Sequence, residues 1–452
     1  MDALSELADR VGVQKVVTDP DILRSYSRDM APIPAAGTPA AVLRATSTED
    51  VVAAMTWASS YGVVVVPRGA GTGLSGGANA LDGCLVVSLE AMTRVRWIDP
   101  VNRVAEVEAG VVNADLGRAV AEHGLFYPPD PGSFEVSTIG GNLATNAGGM
   151  RCVKYGVTRA STLGLEVVLA DGSVLRTGGR TRKNVAGLDL TSLFVGSEGT
   201  LGIITAGIMQ LQPAPPRPPV TFAAAFDTLA EAGAAVGAIL ESGTTPSVLE
   251  LIDHATINAI EDYRSMGLER DWSALLIGQS DGENAVADVE AMVALCAGAG
   301  FVTHTEDPAE GEQLMQARRL AGTATAEAGP SITEDVSVPR GSLVAMIDAI
   351  AALSEEFGIR VATVGHAGDG NLHPVLMLDR LDDDALSHAL VLAERIAAHA
   401  VELGGTVTGE HGVGMLKTGW VRDQLGQTSI DVHRRIKAAL DPAGLLNPGR
   451  GF

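Results

Sequence analysis

Pro67-Arg68-Gly69-Ala70-Gly71-Thr72-Gly73-Leu74-Ser75-Gly76-Gly77 follows directly on the apolar run Val63-Val64-Val65-Val66. The valines read as a buried strand ending at Pro67. Glycines allow the backbone to turn sharply and to approach a phosphate, gathering N–H groups into a nest for negative charge. Gly71-x-Gly73-x-x-Gly76 also fits the dinucleotide fingerprint of a Rossmann unit, with Glu90 at about the distance of its ribose-binding acid. That fingerprint requires a helix to open within the loop. Gly76 to Gly83 leads toward another strand instead, so the Rossmann reading is rejected. A ligand-free packing loop is the plainer alternative, but three glycines and an arginine within Pro67 to Gly73 exceed what a simple turn needs.

Two similar loops follow. Pro131-Gly132-Ser133 precedes Thr138-Ile139-Gly140-Gly141-Asn142-Leu143-Ala144-Thr145-Asn146-Ala147-Gly148-Gly149, and Gly196-Ser197-Glu198-Gly199-Thr200-Leu201-Gly202-Ile203-Ile204-Thr205 comes later. Small residues and two asparagines in the second loop suit a backbone pressed against a flat ring with polar edges. Each loop alone could be a packing device; three in one stretch are hard to explain that way.

Around these loops, residues 1–36 read as a lead-in. Residues 37–214 form a domain of short β-branched runs, helices and glycines. One helix opens at Thr48, capped by Thr46 or Ser47. Five prolines between Pro213 and Pro219 make a stiff connector. Residues 215–426 then alternate strand and helix signals as a second α+β domain, and residues 427–452 form a closing helix and turn.

The chain has 452 residues, 46% of them hydrophobic and 19% charged, as expected of a globular protein of two or more domains. A formal charge of -23 argues against nucleic acid as a partner. No apolar run is long enough for a membrane span, and the acidic start Met1 to Glu6 does not resemble a signal peptide. Cys84, Cys152 and Cys296 stand too far apart for a disulfide framework or an iron–sulfur cluster. A reduced, cytoplasmic setting is expected, with peripheral attachment to the inner membrane face left open.

The second domain carries a different signal. Val364-Gly365-His366-Ala367-Gly368-Asp369-Gly370-Asn371-Leu372-His373-Pro374 lies between two strand-like runs, Arg360 to Val364 and Val375 to Leu378. A hairpin would set His366 opposite His373, with Cβ atoms about 5 Å apart. Two imidazoles at that separation suit one divalent ion. Thr406-Val407-Thr408-Gly409-Glu410-His411-Gly412-Val413-Gly414 adds a carboxylate and a third histidine between glycines. Two histidines and a glutamate leave a coordination position open, and His411 could then serve as a general base. Any one of these histidines could be an ordinary turn residue; their clustering in two glycine-bounded motifs favours a site. His123, His254, His304, His388, His399 and His433 sit in plain contexts.

The three loops resemble the FAD-binding domain of the vanillyl-alcohol oxidase and p-cresol methylhydroxylase (PCMH) superfamily. The C-terminal motifs, through Asn447-Pro448-Gly449, resemble the family of the glycolate oxidase flavoprotein subunit, FAD-linked D-lactate dehydrogenase and D-2-hydroxyglutarate dehydrogenase. The resemblance implies an α+β fold: a PCMH-type domain of two subdomains, a substrate domain with a ferredoxin-like sheet, and a short helical segment. It implies FAD held by Pro67, Arg68, Gly69, Ala70, Gly71, Thr72, Gly73 and Ser75 at the pyrophosphate. Pro131, Thr138, Gly140, Gly141, Asn142, Thr145, Asn146, Gly149, Tyr155, Gly156, Glu198, Gly199, Ile203, Ile204 and the returning Asn447 would complete the cofactor site. Members that bind FAD covalently use a histidine in or near the first loop; Thr72-Gly73 stands here, so FAD is expected to be non-covalent.

By the same resemblance His366, His373 and Glu410 bind zinc or manganese, His411 is the base, and Arg318 holds the substrate carboxylate. Met315 stands where the family often has tryptophan, which loosens the alignment around Arg318; its plain reading is a surface helix charge. Members acting on 2-hydroxyglutarate tend to carry a lysine near Thr333 and an asparagine near Val375. Their absence favours a smaller acid such as glycolate or D-lactate, oxidised by hydride transfer to flavin N5. Electrons would then pass to an external acceptor: a quinone, a cytochrome, an electron-transfer flavoprotein or an iron–sulfur protein. Alternatives are a D-2-hydroxyglutarate dehydrogenase, a non-redox FAD synthase of the alkyl-glycerone-phosphate type, or a non-catalytic electron-transfer subunit. A homodimer is compatible with all of these.

Overall fold

A computed structural model describes residues 3–33 and 35–452. Met1, Asp2 and Pro34, parts of the expected lead-in, lie outside the described residues. Contacts divide the chain into two compact units: residues 1–148, 157–214 and 410–452 form the first, and residues 149–156 and 215–409 the second.

The first unit holds two principal sheets. One is four-stranded, in the order Val16–Val17, Ala41–Arg44, Leu85–Ser88, Val65–Arg68, with its last three strands parallel. Pro67 lies within the strand Val65–Arg68 instead of ending it. The strand is the sheet's edge, where a missing N–H removes no ladder bond. No helix opens between Gly69 and Cys84, which agrees with rejecting a Rossmann unit. The helix Thr48–Tyr61 covers this sheet. Of its two candidate caps, Ser47 accepts the Asp50 N–H, and Gly62, at φ 65°, ends it. Leu7, Val11, Met55, Trp57 and Val65 share one buried cluster, so the supposed lead-in is part of this core.

The other sheet is five-stranded and antiparallel: Val95–Asp99, Val104–Glu108, Ile203–Gln210, Thr162–Val168, Val174–Gly178. Glu166 lies on its fourth strand, accepting from Thr48 Oγ1 (2.8 Å), Arg96 Nη2 (3.0 Å) and Arg176 Nη2 (2.8 Å).

The second unit is built on an antiparallel sheet. Its first four strands run Phe301–Thr305, Val220–Phe226, Ala274–Ser280, Val248–Asp253. In chain order this is fourth, first, third, second, the split β-α-β arrangement of a ferredoxin-like sheet. Arg360–His366, Asn371–Met377 and Ser331–Thr333 extend it, with Val336–Ser337 also paired to Asn371–Met377. Helices His254–Tyr263 and Pro308–Glu327 pack through Ile257, Ile260, Met315 and Ala321 against Leu275 and Ile277.

The unit limits differ from those read in the sequence. The second unit ends at Gly409, not Gly426, because the following residues are tied by hydrogen bonds into the first unit. Gly426 marks a kink instead: it interrupts the helical stretch Thr418–Leu440 with φ 74° and ψ 163°.

Candidate flavin and metal sites

The three glycine loops of the first unit pack on one another at distances that exclude side chains. A Cβ on Gly69 would lie 2.5 Å from Thr138 Oγ1, joining the first loop to the second. A Cβ on Gly199 would lie 2.4 Å from Pro67 Cγ, joining the third to the first, and Gly199 has φ 71°. The middle segment is not all loop. Thr138 caps a short helix, Ile139–Thr145, that includes Gly140 and Gly141, because its hydroxyl accepts the Gly141 N–H. The two asparagines of this segment make local bonds. Asn142 accepts from Asn113 and donates to Ser137, while Asn146, left-handed at φ 54°, accepts the Arg159 N–H. Thr145 donates to the Gly141 carbonyl. Ile203 and Ile204 are buried in the core.

Glu198 and Asn447 also fasten segments of the first unit to one another. The buried Glu198 carboxylate accepts the Val413 N–H at 2.6 Å and the Gly414 N–H at 2.7 Å. Burial pushes its carboxyl pKa up, outweighing those donors and the Arg450 charge. Ser75 donates to the Gly412 carbonyl at 2.9 Å, and its own carbonyl accepts the Met415 N–H. Asn447 donates from Nδ2 to the carbonyls of Gly77 (3.0 Å) and Glu198 (2.7 Å). The C-terminal segment thus locks the first and third loops together.

Several buried polar atoms in these same segments have no hydrogen-bond partner among the described residues: Arg68 Nη1, Ser197 Oγ and Asn447 Oδ1. Leaving such groups unpaired costs about 1–3 kcal/mol each. Glycine loops without side chains, together with an unpartnered guanidinium nitrogen, hydroxyl and amide oxygen in the same segments, fit a cofactor with phosphates and hydroxyls such as FAD. Pro131, whose carbonyl accepts the Phe134 N–H, belongs to this unit as well. Gly149, Tyr155 and Gly156, expected at the flavin, belong to the second unit, where Tyr155 donates to Asp281 Oδ2 at 2.7 Å and Lys154 pairs with Oδ1.

In the second unit, Arg360–His366 and Asn371–Met377 form the expected hairpin, in a different register. His366 pairs with Asn371 and His373 with Val364. The histidines are therefore diagonal, not opposite. Their rings still meet, with centroids 5.2 Å apart and planes at 87°. Both are buried.

Two acids flank the pair that the sequence reading missed. Glu250, on the neighbouring strand Val248–Asp253, is fully buried; Oε1 lies 2.7 Å from His366 Nδ1, and Oε2 accepts from Arg318 Nε at 2.5 Å. Burial alone would raise its pKa, but His366 and Arg318 hold the carboxyl below its ordinary value. Asp335, also fully buried, lies 3.8 Å from His373 Nε2 through Oδ1. Its Oδ2 accepts from Thr408 Oγ1 at 2.6 Å and from the Gly409 N–H at 2.9 Å. An acid flanked on both sides by apolar residues, Val248-Leu249-Glu250-Leu251-Ile252, was the available signal for Glu250. Arg318 sits on the helix Pro308–Glu327 with its side chain 14% exposed, so it is not a surface charge. Met315, beside it, is buried in the core. Glu410 follows Gly409 directly in the chain, and His411 Nε2 lies 3.9 Å from Glu410 Oε1.

Residues 39–178 match an FAD binding domain, and residues 215–450 match the family described as FAD linked oxidases, C-terminal domain. The chain is 42% identical over 419 residues to the "Glycolate oxidase subunit GlcD" of Bacillus subtilis (strain 168), covering 92% of this chain and 89% of that one. It is 32% identical over 453 residues to a "D-lactate dehydrogenase" of Anaerostipes hadrus, covering 97% and 95%. The crystal structure of p-cresol methylhydroxylase with substrate bound shares the fold at TM-score 0.83 and 19% identity, over 99% of this chain and 96% of that one. The chain belongs to the FAD-linked oxidase family and is an FAD-dependent oxidoreductase.

Proposed function

We propose that the protein oxidises a small 2-hydroxy acid of the glycolate or D-lactate type to its 2-oxo acid, and passes the electrons to an external, non-nicotinamide acceptor. We infer further that His366, His373 and Glu410 bind one divalent cation, zinc or manganese. The observation that carries the reading is the pair of buried imidazoles 5.2 Å apart, with Arg318 held at the same buried Glu250 as His366. Nδ1 of His366 is engaged by Glu250, the carboxylate–histidine arrangement usual behind a metal-ligating imidazole. Glu410 leaves the turn that Asp335 pins at Gly409.

In this reading the guanidinium of Arg318 binds the substrate carboxylate through its two Nη groups. His411 takes the hydroxyl proton on an imidazole nitrogen. Bound FAD supplies the hydride acceptor, and the cation lowers the pKa of the substrate hydroxyl. The relatives' names support glycolate or D-lactate. A 2-hydroxyglutarate reading is disfavoured. Thr333 and Val375 are register partners on adjacent strands, and neither offers a cation or an amide to a second carboxylate.

The test is anaerobic spectroscopy of the purified protein against D- and L-2-hydroxy acids. Flavin bleaching by glycolate or D-lactate is expected. A flavin that stays oxidised with every 2-hydroxy acid would refute the proposal and revive the non-redox synthase.

A further inference from the structure

We propose that Glu250 is a positioning residue that sets the metal ligand and the substrate clamp against each other, so that cation binding and 2-hydroxy acid binding depend on one carboxylate. The inference rests on the function proposed above and extends it to a residue outside the ligand set.

A buried carboxylate needs compensation, and one guanidinium would supply it. Glu250 has more than that. It stands on a central strand between the buried Leu249 and Leu251, with no solvent exposure, and each oxygen is given to a different group. Oε1 meets His366 Nδ1 and Oε2 meets Arg318 Nε. Both partners already have assignments in the proposed chemistry, one to the cation and the other to the substrate carboxylate.

The consequences are specific. An Nδ1–H held by a carboxylate fixes the His366 tautomer and ring orientation, leaving the Nε2 lone pair as donor and making it more basic. An Nε–H held by the other oxygen orients the planar guanidinium while both Nη groups stay available for a bidentate bond. Because the two oxygens belong to one rigid group, a shift of either partner moves the other.

The experiment uses the FAD-loaded protein after removal of bound metal with a chelator. Zn2+ affinity is read by competition with a chromophoric chelator, and the KM for D-lactate is read at saturating Zn2+. Glu250→Gln keeps the shape but puts a donor where an acceptor is needed. We expect Zn2+ affinity to fall about 10- to 100-fold, with KM rising at least about tenfold even at saturating metal. Glu250→Asp retains the charge, and its shorter stem cannot reach both partners, so it should weaken both readouts in the same direction. If Glu250→Gln does not yield folded holoprotein, Glu250→Asp carries the test. In a cycle with Arg318→Met, the double variant should raise KM no further than the worse single variant. Zn2+ affinity within about twofold of the parent in the folded variants, or additive effects on KM, overturns the inference. If the parent protein itself binds neither Zn2+ nor Mn2+, the proposed metal site fails first, and the two failures are thereby distinguished.

Discussion

Replacing Glu166 by Gln tests how the flavin-binding unit is braced. The Glu166 carboxylate joins the sheet to the helix Thr48–Tyr61 and to Arg96 and Arg176 on strands around it. Burial opposes its ionisation, but the bonds from Arg96, Arg176 and Thr48 outweigh that and lower the pKa from 4.5 to about 2. At about 1.36 kcal/mol per unit, the full shift corresponds to roughly 3 kcal/mol. That figure is an upper bound, since Arg176 is 78% exposed and water screens its share. We expect a loss of about 1.5–2 kcal/mol at pH 7. For a unit of this size that is a fall in Tm of roughly 4–7 °C. The sign with pH follows from the depressed pKa. The stabilisation is complete above the unfolded value, near pH 4.5, and is lost as pH falls toward about 2. Thermal unfolding of both proteins should show a constant gap above about pH 5 that narrows through pH 4 and 3. A gap that does not change down to pH 3 would mean that shape, not charge, sets the loss, and would refute the electrostatic argument.

Replacing His373 by alanine should abolish turnover and bound metal while the flavin absorbance stays at the parent's level; full turnover would exclude the cation from the chemistry. Gly199→Ala places a Cβ 2.4 Å from Pro67 at a positive φ. It should cost roughly 2–4 kcal/mol and weaken FAD retention on gel filtration; retention equal to the parent's would show that the loops yield easily. Tyr155→Phe removes the hydroxyl bond to Asp281. It should lower stability by about 1 kcal/mol with the flavin spectrum unchanged; a shifted spectrum would return the hydroxyl to the cofactor.

Local sequence was enough wherever one stretch of chain carries its own constraint. The first loop cannot open a helix, the proline run cannot join the two domains as helix, and the two histidines must flank a tight turn because Gly368-Asp369-Gly370 breaks any helix between them. Each of these depends on backbone permissions of neighbouring residues, which any reader of the chain can count. Tertiary structure decided the rest. Glu250 and Asp335 lie far along the chain from the histidines they approach, and only the strand order brings them there. The hairpin register, His366 with Asn371, is settled by the ladder as a whole, since periodicity alone does not choose between neighbouring pairings. The motifs of Glu198 and Asn447 carry no sign of their bonds to Val413, Gly414 and Gly77, which arise only when the C-terminal segment folds back. Hydrogen bonds between residues hundreds of positions apart leave no pattern in a single sequence, because either partner alone looks like an ordinary polar residue.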